Sequence, residues 1–202
     1  MIGIIDYGLG NLASVKNMIK KVGGDAIISA DVNELSECEK LILPGVGAFG
    51  QGMQNLKDKG LDRYVKEEAQ NGKKILGICL GAQLLTSHSE EGNVEGLDLI
   101  KAETRKFVLS DPKLKVPHMG WFQVDFKQMQ HPLFDGLSND QRYYFVHSYY
   151  MDCNSEEDVL CSCDYEITFA AGIAKGNIAG VQFHPEKSHV FGMKLMSNFL
   201  NW

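Results

Sequence analysis

Short runs of apolar and β-branched residues alternate with amphipathic stretches along the first half of the chain. Residues 2–6 predict a strand, and from Asn11, a favourable helix N-cap, apolar side chains recur at helical spacing as far as Val22. Gly23 and Gly24 end this helix. The same patterns predict strands at 26–29, 40–43 and 74–79, helices at 61–69 and 80–87, and a glycine-rich loop at 44–52.

Repeated strand–helix units predict an α/β fold in which helices cover both faces of a parallel sheet. The second half differs, because strand-like segments follow one another with only short turns between them, which indicates an antiparallel or mixed edge of the same sheet. From Ser188 onward, Phe191, Leu195 and Phe199 share one helical face, so a C-terminal helix should pack on the sheet. The strand-like segments are 123–126, 143–151, 159–163, 169–174 and 178–183.

Length and charge narrow the classes of protein to which the chain can belong. Its 202 residues, 44% of them hydrophobic, can bury one substantial core, so we expect a single domain over residues 1–202. The formal net charge of −6 argues against a nucleic-acid-binding protein. The N-terminus lacks the pattern of a signal peptide, and no apolar stretch approaches the roughly 20 residues that span a bilayer. We therefore expect a cytoplasmic protein that does not bind membranes.

Cysteine and histidine spacing favours neither a disulfide framework nor a metal site. The five cysteines are an odd number and form no C-x-x-C pair. The six histidines form no H-x-x-x-H or H-E-x-x-H pair. We therefore expect no metal and no cofactor. Cys161 and Cys163 should lie on one strand face as small apolar side chains.

The strongest candidate for chemistry is the segment from Gly77 to Gly81, in which glycines lie two residues before and two after Cys79. This is the pattern of a nucleophile elbow at a strand-to-helix junction, with cysteine as the nucleophile. The N-terminus of the following helix should favour the thiolate over the thiol. A lone cysteine after an apolar strand is more often a structural residue. The flanking glycines favour the nucleophile.

A general base and an orienting acid are offered by His184-Pro185-Glu186, just past the last apolar strand. The proline biases His184 towards an extended conformation, in which residues two apart project to the same side, so Glu186 can lie beside His184. A three-residue match of this kind is expected by chance. Its position at the carboxyl end of a predicted strand, where open α/β sheets place their sites, gives it weight.

An oxyanion-binding loop is the third element that acyl transfer needs. Residues 44–47 follow a predicted strand, and the glycines at 45 and 47 would let backbone N–H groups approach a substrate closely. An ordinary glycine-rich turn is the alternative interpretation. A phosphate-binding loop is not expected, because the G-K-[ST] ending is absent.

With these motifs the chain resembles the class I (triad) glutamine amidotransferases, and within that family it is similar to the glutaminase subunits of imidazole glycerol phosphate synthase. The similar segments occur in the family's order from the first strand to the last helix and so cover essentially the whole chain. They are Asp6 to Leu12, Pro44 to Phe49, Gly77 to Gln83, Pro117 to Trp121, Tyr144 to Tyr149, and Gln182 to Ser188.

The resemblance implies a flavodoxin-like fold and hydrolysis of L-glutamine to glutamate and ammonia. Cys79 would attack the side-chain amide, His184 would act first as acid and then as base, and Glu186 would hold the imidazole tautomer. The remaining roles are implied by position within the matching motifs. The backbone amides of Val46 and Leu80 would form the oxyanion hole, and Gly47, Gln83, Ser148 and Tyr149 would hold the substrate.

A separate ammonia-consuming partner is implied as well, because the motifs leave no room for a second catalytic domain. The resemblance implies a heterodimer with a cyclase subunit. Two departures from that subfamily favour an alternative, a paralogue that supplies ammonia to an amidotransferase acting on surface-polysaccharide sugars. They are Phe122, where asparagine is usual, and the segment from Ser188 to Lys194. The positions implied to face the partner are Asn11, Trp121, Tyr144 and Lys187.

Other interpretations stay open at this stage. A cysteine peptidase or γ-glutamyl hydrolase would not explain Gln83, and a catalytically silent regulatory subunit would not need an intact Cys79, His184 and Glu186. Core packing is as good an account as function for His147 and for the tyrosines around it at 143, 144, 149 and 150, and nearly as good for Trp121.

Overall fold

The computed structural model describes every residue from Met1 to Trp202. Twelve strands form the main sheet and two form a separate ribbon. The strands are β1 (Ile2–Ile5), β2 (Ala26–Ser29), β3 (Lys40–Gly45), β4 (Lys74–Cys79), β5 (His88–Ser89), β6 (Val94–Glu95), β7 (Ala102–Lys106), β8 (His118–Gln123), β9 (Asp125–Phe126), β10 (Arg142–His147), β11 (Tyr149–Cys153), β12 (Val159–Tyr165), β13 (Ile167–Lys175) and β14 (Ile178–Val181).

Six helices flank these strands, and three single 3-10 turns lie at 132–134, 156–158 and 185–187. Asn11 caps the first helix, as the sequence predicts, by accepting a hydrogen bond from the backbone amide of Ser14 at 3.3 Å. The helices are α1 (Leu12–Lys21), α2 (Val32–Ser36), α3 (Phe49–Asp58), α4 (Leu61–Gln70), α5 (Leu80–Leu84) and α6 (His189–Asn201).

The main sheet is parallel at one end and mostly antiparallel at the other, where only β5 and β7 pair in parallel. Its order is β2-β1-β3-β4-β14-β13-β11-β7-β5-β6, with β12 paired to β13 and β9 paired to β12. The first five of these strands are parallel neighbours, and the antiparallel part begins where β14 meets β13. The predicted parallel sheet with an antiparallel extension is confirmed.

Helices cover both faces of the parallel part. Successive residues of a strand point to opposite faces, so Ile42 and Leu76 belong to the core shared with α1 and α6, whereas Leu41 and Ile75 belong to the core shared with α2 to α5. The strands are thus buried on both sides, which explains their nearly continuous apolar sequences.

The predicted single strand at 143–151 is wrong, because two strands in different sheets meet at Ser148. Strand β10 pairs with β8 in the separate ribbon, whereas β11 pairs with β7 and β13 in the main sheet. Nδ1 of His147 lies 2.7 Å from the carbonyl oxygen of Tyr149, and this contact across Ser148 stabilises the change of direction. Local alternation of apolar residues cannot show which partner strand each half will find.

The predicted helix at 80–87 ends early, at Leu84. Backbone amides of Leu97 and Leu99 donate to the carbonyl oxygens of Leu84 and Leu85 at 2.9 and 3.0 Å. A returning segment therefore satisfies the carbonyls that further helical turns would have used.

The predicted loop at 44–52 is also shorter than expected. Pro44 and Gly45 extend β3 by pairing with Ile78 and Cys79, and α3 already begins at Phe49. The predicted strand at 123–126 is not one continuous strand. Strand β8 ends at 123, and only 125–126 pair with β12. Other predicted strands agree with the structure to within three residues at either end.

The carboxyl ends of β3, β4 and β14 lie side by side in the centre of the sheet. These ends carry the 44–47 loop, Cys79 and the segment that leads to His184. The motifs singled out in the sequence therefore meet at one edge of the sheet. No helix in the structure is long and apolar enough to span a membrane.

Candidate functional site

Cys79 ends β4 and occupies a sharp turn into α5. Its φ of 53° and ψ of −111° are unusual for a residue with a side chain, and its exposed fraction is 7%. A Cβ on Gly77 would lie 2.7 Å from the backbone of Ala82, and one on Gly81 would lie 1.7 Å from the carbonyl oxygen of Leu43. Both glycines are required by close packing, as the nucleophile-elbow pattern predicts.

His184 and Glu186 lie side by side. Nδ1 of His184 is 2.7 Å from Oε1 of Glu186, and the two side chains are 1% and 4% exposed. The sequence predicts that an extended segment brings the two side chains together. In the structure His184 is extended, but residues 185–187 form a 3-10 turn. The backbone amide of His184 donates to the carbonyl oxygen of Tyr144 at 2.9 Å, and its carbonyl accepts from Ser188 Oγ at 2.6 Å. Hydrogen bonds to both its N–H and its C=O therefore fix the backbone that carries the imidazole.

The charge state of His184 is set by opposing effects. Burial lowers its pKa, but interactions with the Cys79 thiolate and the Glu186 carboxylate prevail and raise the pKa to about 9. Because Nδ1 donates to Glu186, Nε2 is the nitrogen left for Cys79 or a substrate. That Nε2 is buried and makes no other hydrogen bond. The imidazolium is therefore the favoured form of His184 at neutral pH.

A buried amide network reaches the sulfur from the other side. Nε2 of Gln182 lies 3.8 Å from Sγ of Cys79, and Oε1 of Gln182 accepts from Nε2 of Gln83 at 2.9 Å. Nε2 of Gln83 also donates to the carbonyl oxygen of Tyr149 at 3.0 Å. Gln182 could not be assigned this role from the sequence, because nothing in local spacing connects it to Cys79.

A cavity of about 320 Å³ opens above Cys79. The backbone amide of Val46 bonds to no other backbone group, and Gly47 has a φ of +130° that favours glycine. The residues lining the cavity include all of the implied substrate and oxyanion positions. They are Val46, Gly47, Cys79, Leu80, Gln83, Glu91, Pro117, Val146, His147, Ser148 and Tyr149.

Glu91 is a site residue that the sequence analysis missed. It supplies the only carboxylate in the lining of the cavity, and its Oε2 accepts the backbone amide of Phe49 at 2.8 Å, which caps α3. Its neighbours in sequence are polar, so no hydrophobic pattern or motif distinguishes it. An acid at this place can bind a cationic group of a ligand.

His147 and Tyr143 are buried, whereas the tyrosines at 144, 149 and 150 are half-buried. Nδ1 of His118 lies 2.9 Å from Nε2 of His147. Burial lowers the pKa of His118 to about 4 and that of His147 to about 3. Both imidazoles are therefore neutral and part of the core, although His147 also borders the cavity.

Three of the four implied partner-facing residues form one surface cluster. The ring of Trp121, 40% exposed, lies 6.0 Å from that of Tyr144, and Nζ of Lys187 lies 5.4 Å from the Tyr144 ring. His189 stacks on Trp121 at 5.2 Å with an interplanar angle of 4°. Asn11 is exposed, but no hydrogen bond or ring contact joins it to this cluster. The alternative interpretation of Trp121 as a core residue is wrong.

Phe122 does not belong to that surface. Its ring centroid lies 3.9 Å from that of His118 and 6.2 Å from that of Phe145, so it points inward from β8 while Trp121 points outward. Of the two departures from the subfamily pattern, only the segment after Ser188 reaches the surface cluster directly, through His189.

The other cysteines lack the environment of Cys79. Burial raises the pKa of the Cys153 and Cys163 thiols to about 12 and that of Cys161 well above its usual range. Cys161 and Cys163 are both buried in the core on one side of the sheet, as predicted. No group of three or more His, Cys, Asp or Glu side chains is arranged to hold a metal ion.

Comparison with known proteins identifies the family. Residues 4–202 match the family model described as glutamine amidotransferase class-I. The chain is 54% identical over 201 residues to "Imidazole glycerol phosphate synthase subunit HisH 2" of Methanococcus maripaludis, covering 99% of this chain and 98% of that one. It is 49% identical to the protein of the same name from Pseudomonas aeruginosa, with the same coverage.

Solved structures confirm the predicted fold. One titled "Crystal structure of glutamine amidotransferase" has a TM-score of 0.78 at 18% identity, and it covers 99% of this chain and 97% of that one. The structure of PurLQS from Thermotoga maritima has a TM-score of 0.77 at the same identity and coverage. At this identity the likeness concerns the fold alone, whereas the family model spans nearly the whole chain. The chain therefore belongs to the class I glutamine amidotransferase family.

Proposed function

We propose that this protein is the glutaminase subunit of an imidazole glycerol phosphate synthase. It would hydrolyse L-glutamine to glutamate and ammonia and pass the ammonia to a separate cyclase subunit in histidine biosynthesis. The names of relatives that are 48–54% identical over nearly the full length of both chains support this assignment. The observation that carries the chemistry is the grouping of three side chains: Glu186 pairs with His184, His184 interacts with Cys79, and Cys79 lines the cavity. We also propose that residues 1–202 form a single domain.

The reaction would begin with attack of the Cys79 thiolate on the side-chain carbonyl of glutamine. The C–N bond then breaks as Nε2 of His184 donates its proton to the departing ammonia, which leaves a γ-glutamyl thioester. Water attacks the thioester, His184 accepts its proton, and glutamate leaves as the thiolate re-forms. Glu186 stabilises the imidazolium through Nδ1 and fixes its orientation.

The negative charge that develops on the substrate oxygen would be stabilised by backbone amides. Those of Val46 and Leu80 are the proposed donors, and Val46 supports the proposal because its amide makes no other backbone hydrogen bond. The thiolate itself would accept a hydrogen bond from Nε2 of Gln182. Loss of one oxyanion donor typically costs on the order of 100- to 1,000-fold in rate.

The amino-acid end of glutamine would be held by groups around the rest of the cavity. Gly47, Ser148 and Tyr149 line it. Both Nε2 hydrogens of Gln83 are engaged by Tyr149 and Gln182, so its Oε1 is the atom available to accept from the substrate. We assign the α-ammonium group to Glu91, the only carboxylate in the lining.

The partner would dock on the surface cluster formed by Trp121, Tyr144, Lys187 and His189, with Asn11 as a further proposed contact. A flat, exposed aromatic ring with a neighbouring cation is typical of an interface anchor. The alternative acceptor system, a sugar-modifying amidotransferase, is favoured by one observation: His189, within the departing segment, stacks on Trp121.

The proposal is tested by mixing the purified chain with the cyclase from its own source and measuring glutamine-dependent product formation. We expect glutamate release to be low for the free chain and to rise with the cyclase. Cys79→Ala should abolish glutamine-dependent turnover and leave ammonia-dependent turnover intact, whereas Cys153→Ala, away from the site, should affect neither. Stimulation only by a sugar-modifying amidotransferase would overturn the acceptor assignment. Undiminished glutamine-dependent turnover in Cys79→Ala would overturn the chemistry.

A further inference from the structure

Tyr7 holds a buried hydroxyl group that no part of the protein satisfies. The residue lies two positions after the end of β1, its side chain is fully buried, and its Oη makes no hydrogen bond. Burial raises the pKa of Tyr7, with a further contribution from the Cys79 thiolate, so the group stays protonated and remains a hydrogen-bond donor. A buried donor without a partner is unfavourable and calls for an explanation in a natural protein.

The hydroxyl lies against the strand that leads into the oxyanion loop. A Cβ placed on Gly45 would lie 2.3 Å from Tyr7 Oη and 2.8 Å from Cβ of Leu80. Oη is thus wedged beside the α-carbon of Gly45, and no residue other than glycine fits there. Gly45 pairs with Cys79 in the sheet. The two proposed oxyanion donors, Val46 and Leu80, are the residues that follow Gly45 and Cys79 in the chain.

The N–H of the peptide that follows this contact is not held by another backbone group. Glycines at 45 and 47 flank Val46, whose amide bonds to no other backbone group and whose side chain is exposed. Rotation of the Gly45–Val46 peptide about its own axis changes ψ of Gly45 and φ of Val46, and the glycine lowers the barrier on its side. When such a peptide presents its N–H to one side, its carbonyl oxygen points to the opposite side.

We propose that Tyr7 is a positioning residue for the oxyanion loop. Its hydroxyl donates to the carbonyl oxygen of Gly45 when the Gly45–Val46 peptide turns the Val46 amide towards the substrate oxygen. The hydroxyl gains a hydrogen bond only in this orientation of the peptide. It therefore stabilises the catalytic orientation relative to the others. This inference rests on the proposed glutaminase function and adds a residue to its machinery.

Tyr7→Phe is the direct test, because it removes only the oxygen atom. In the complex with the cyclase we expect the kcat for glutamine to fall about fivefold to tenfold, the effect of one hydrogen bond made in the reactive state. KM should change by less than twofold, and so should the rate at which iodoacetamide alkylates Cys79, because His184 and Gln182 are untouched. The urea midpoint of the free chain should be unchanged or higher, since the hydroxyl has no partner there.

Tyr64→Phe is the matched control. Tyr64 carries another buried hydroxyl without a partner, but it lies on α4 rather than beside the loop. Its removal should leave kcat unchanged. An unchanged kcat in Tyr7→Phe, or an equal fall in both variants, would overturn the proposal, and so would a fall accompanied by a lower urea midpoint in Tyr7→Phe alone. Failure of the proposed function itself is distinguishable, because the wild-type complex would then release no glutamate from glutamine.

Discussion

Nδ1 of His118 donates a hydrogen bond to Nε2 of His147 at 2.9 Å. A second contact, on the other nitrogen of His147, fixes the direction of this bond. Nδ1 of His147 lies 2.7 Å from the carbonyl oxygen of Tyr149, which can only accept. His147 must therefore carry its proton on Nδ1 and accept on Nε2. The same carbonyl accepts from Gln83, so the pair helps to fix the wall of the cavity.

The histidine pair makes stability sensitive to mild acid. In the folded chain the pKa of His118 is about 4 and that of His147 about 3, against 6.5 for the unperturbed side chain. The unfolded chain binds these protons first as the pH falls, so the free energy of unfolding should decrease from pH 6.5 downward. His184 acts in the opposite direction: its pKa of about 9 gives a contribution that is present below pH 6.5 and lost as the pH rises through 9.

Urea unfolding at pH 7.0 and 5.5 measures this effect above the range in which most carboxylates titrate. We expect a lower midpoint at pH 5.5 and a smaller difference between the two pH values in His118→Phe, which cannot take up a proton. Equal midpoints for the wild type at the two pH values would contradict the assignment of buried neutral imidazoles.

Removal of the charge beside His184 should slow catalysis without unfolding the protein. Glu186→Gln keeps an oxygen that can accept from Nδ1 but loses the anion that helps to raise the His184 pKa to about 9. We expect kcat to fall on the order of 100-fold or more, and the alkaline limb of the kcat profile to move to lower pH. Glu67→Gln, an exposed change on α4, serves as the control. An alkaline limb that stays in place in Glu186→Gln would show that the carboxylate does not act through His184.

Loss of the exposed indole should weaken the partner complex. Trp121→Ala removes a large ring that packs mainly against Tyr144 and His189 at the surface, so the fold should tolerate it. We expect the Kd for the cyclase to rise about 30-fold, corresponding to roughly 2 kcal/mol for a central interface residue. Calorimetric titration measures this Kd. Val108→Ala, a change at an exposed position outside the surface cluster, is the control. A Kd equal to that of the wild type would place the interface elsewhere.

The sequence predicted the parallel strands, the glycine-flanked turn at Cys79 and the meeting of His184 with Glu186, because these features depend on local patterns. Glu91 and Gln182 escaped prediction, since their positions near the site depend on contacts with distant segments. Apolar alternation also missed the break at Ser148. The two strands around it belong to different sheets, and only pairing across the chain decides that.

The surface cluster illustrates the same limit. Motif similarity pointed to Trp121 but could not decide between a buried and an exposed ring. It also drew attention to Phe122, which in fact packs on His118 in the interior. Successive side chains of β8 point to opposite faces of the ribbon. The sequence does not show which of these faces is exposed to solvent.

Covalent trapping of the nucleophile tests directly whether Cys79 attacks glutamine. The complex with the cyclase would be incubated with a glutamine analogue that carries an electrophilic side chain, and peptides would be mapped by mass spectrometry. We expect one adduct, on the peptide containing Cys79, with glutamate release lost in proportion to labelling. Labelling of another cysteine in its place, or glutamate release that persists when Cys79 is fully modified, would contradict it.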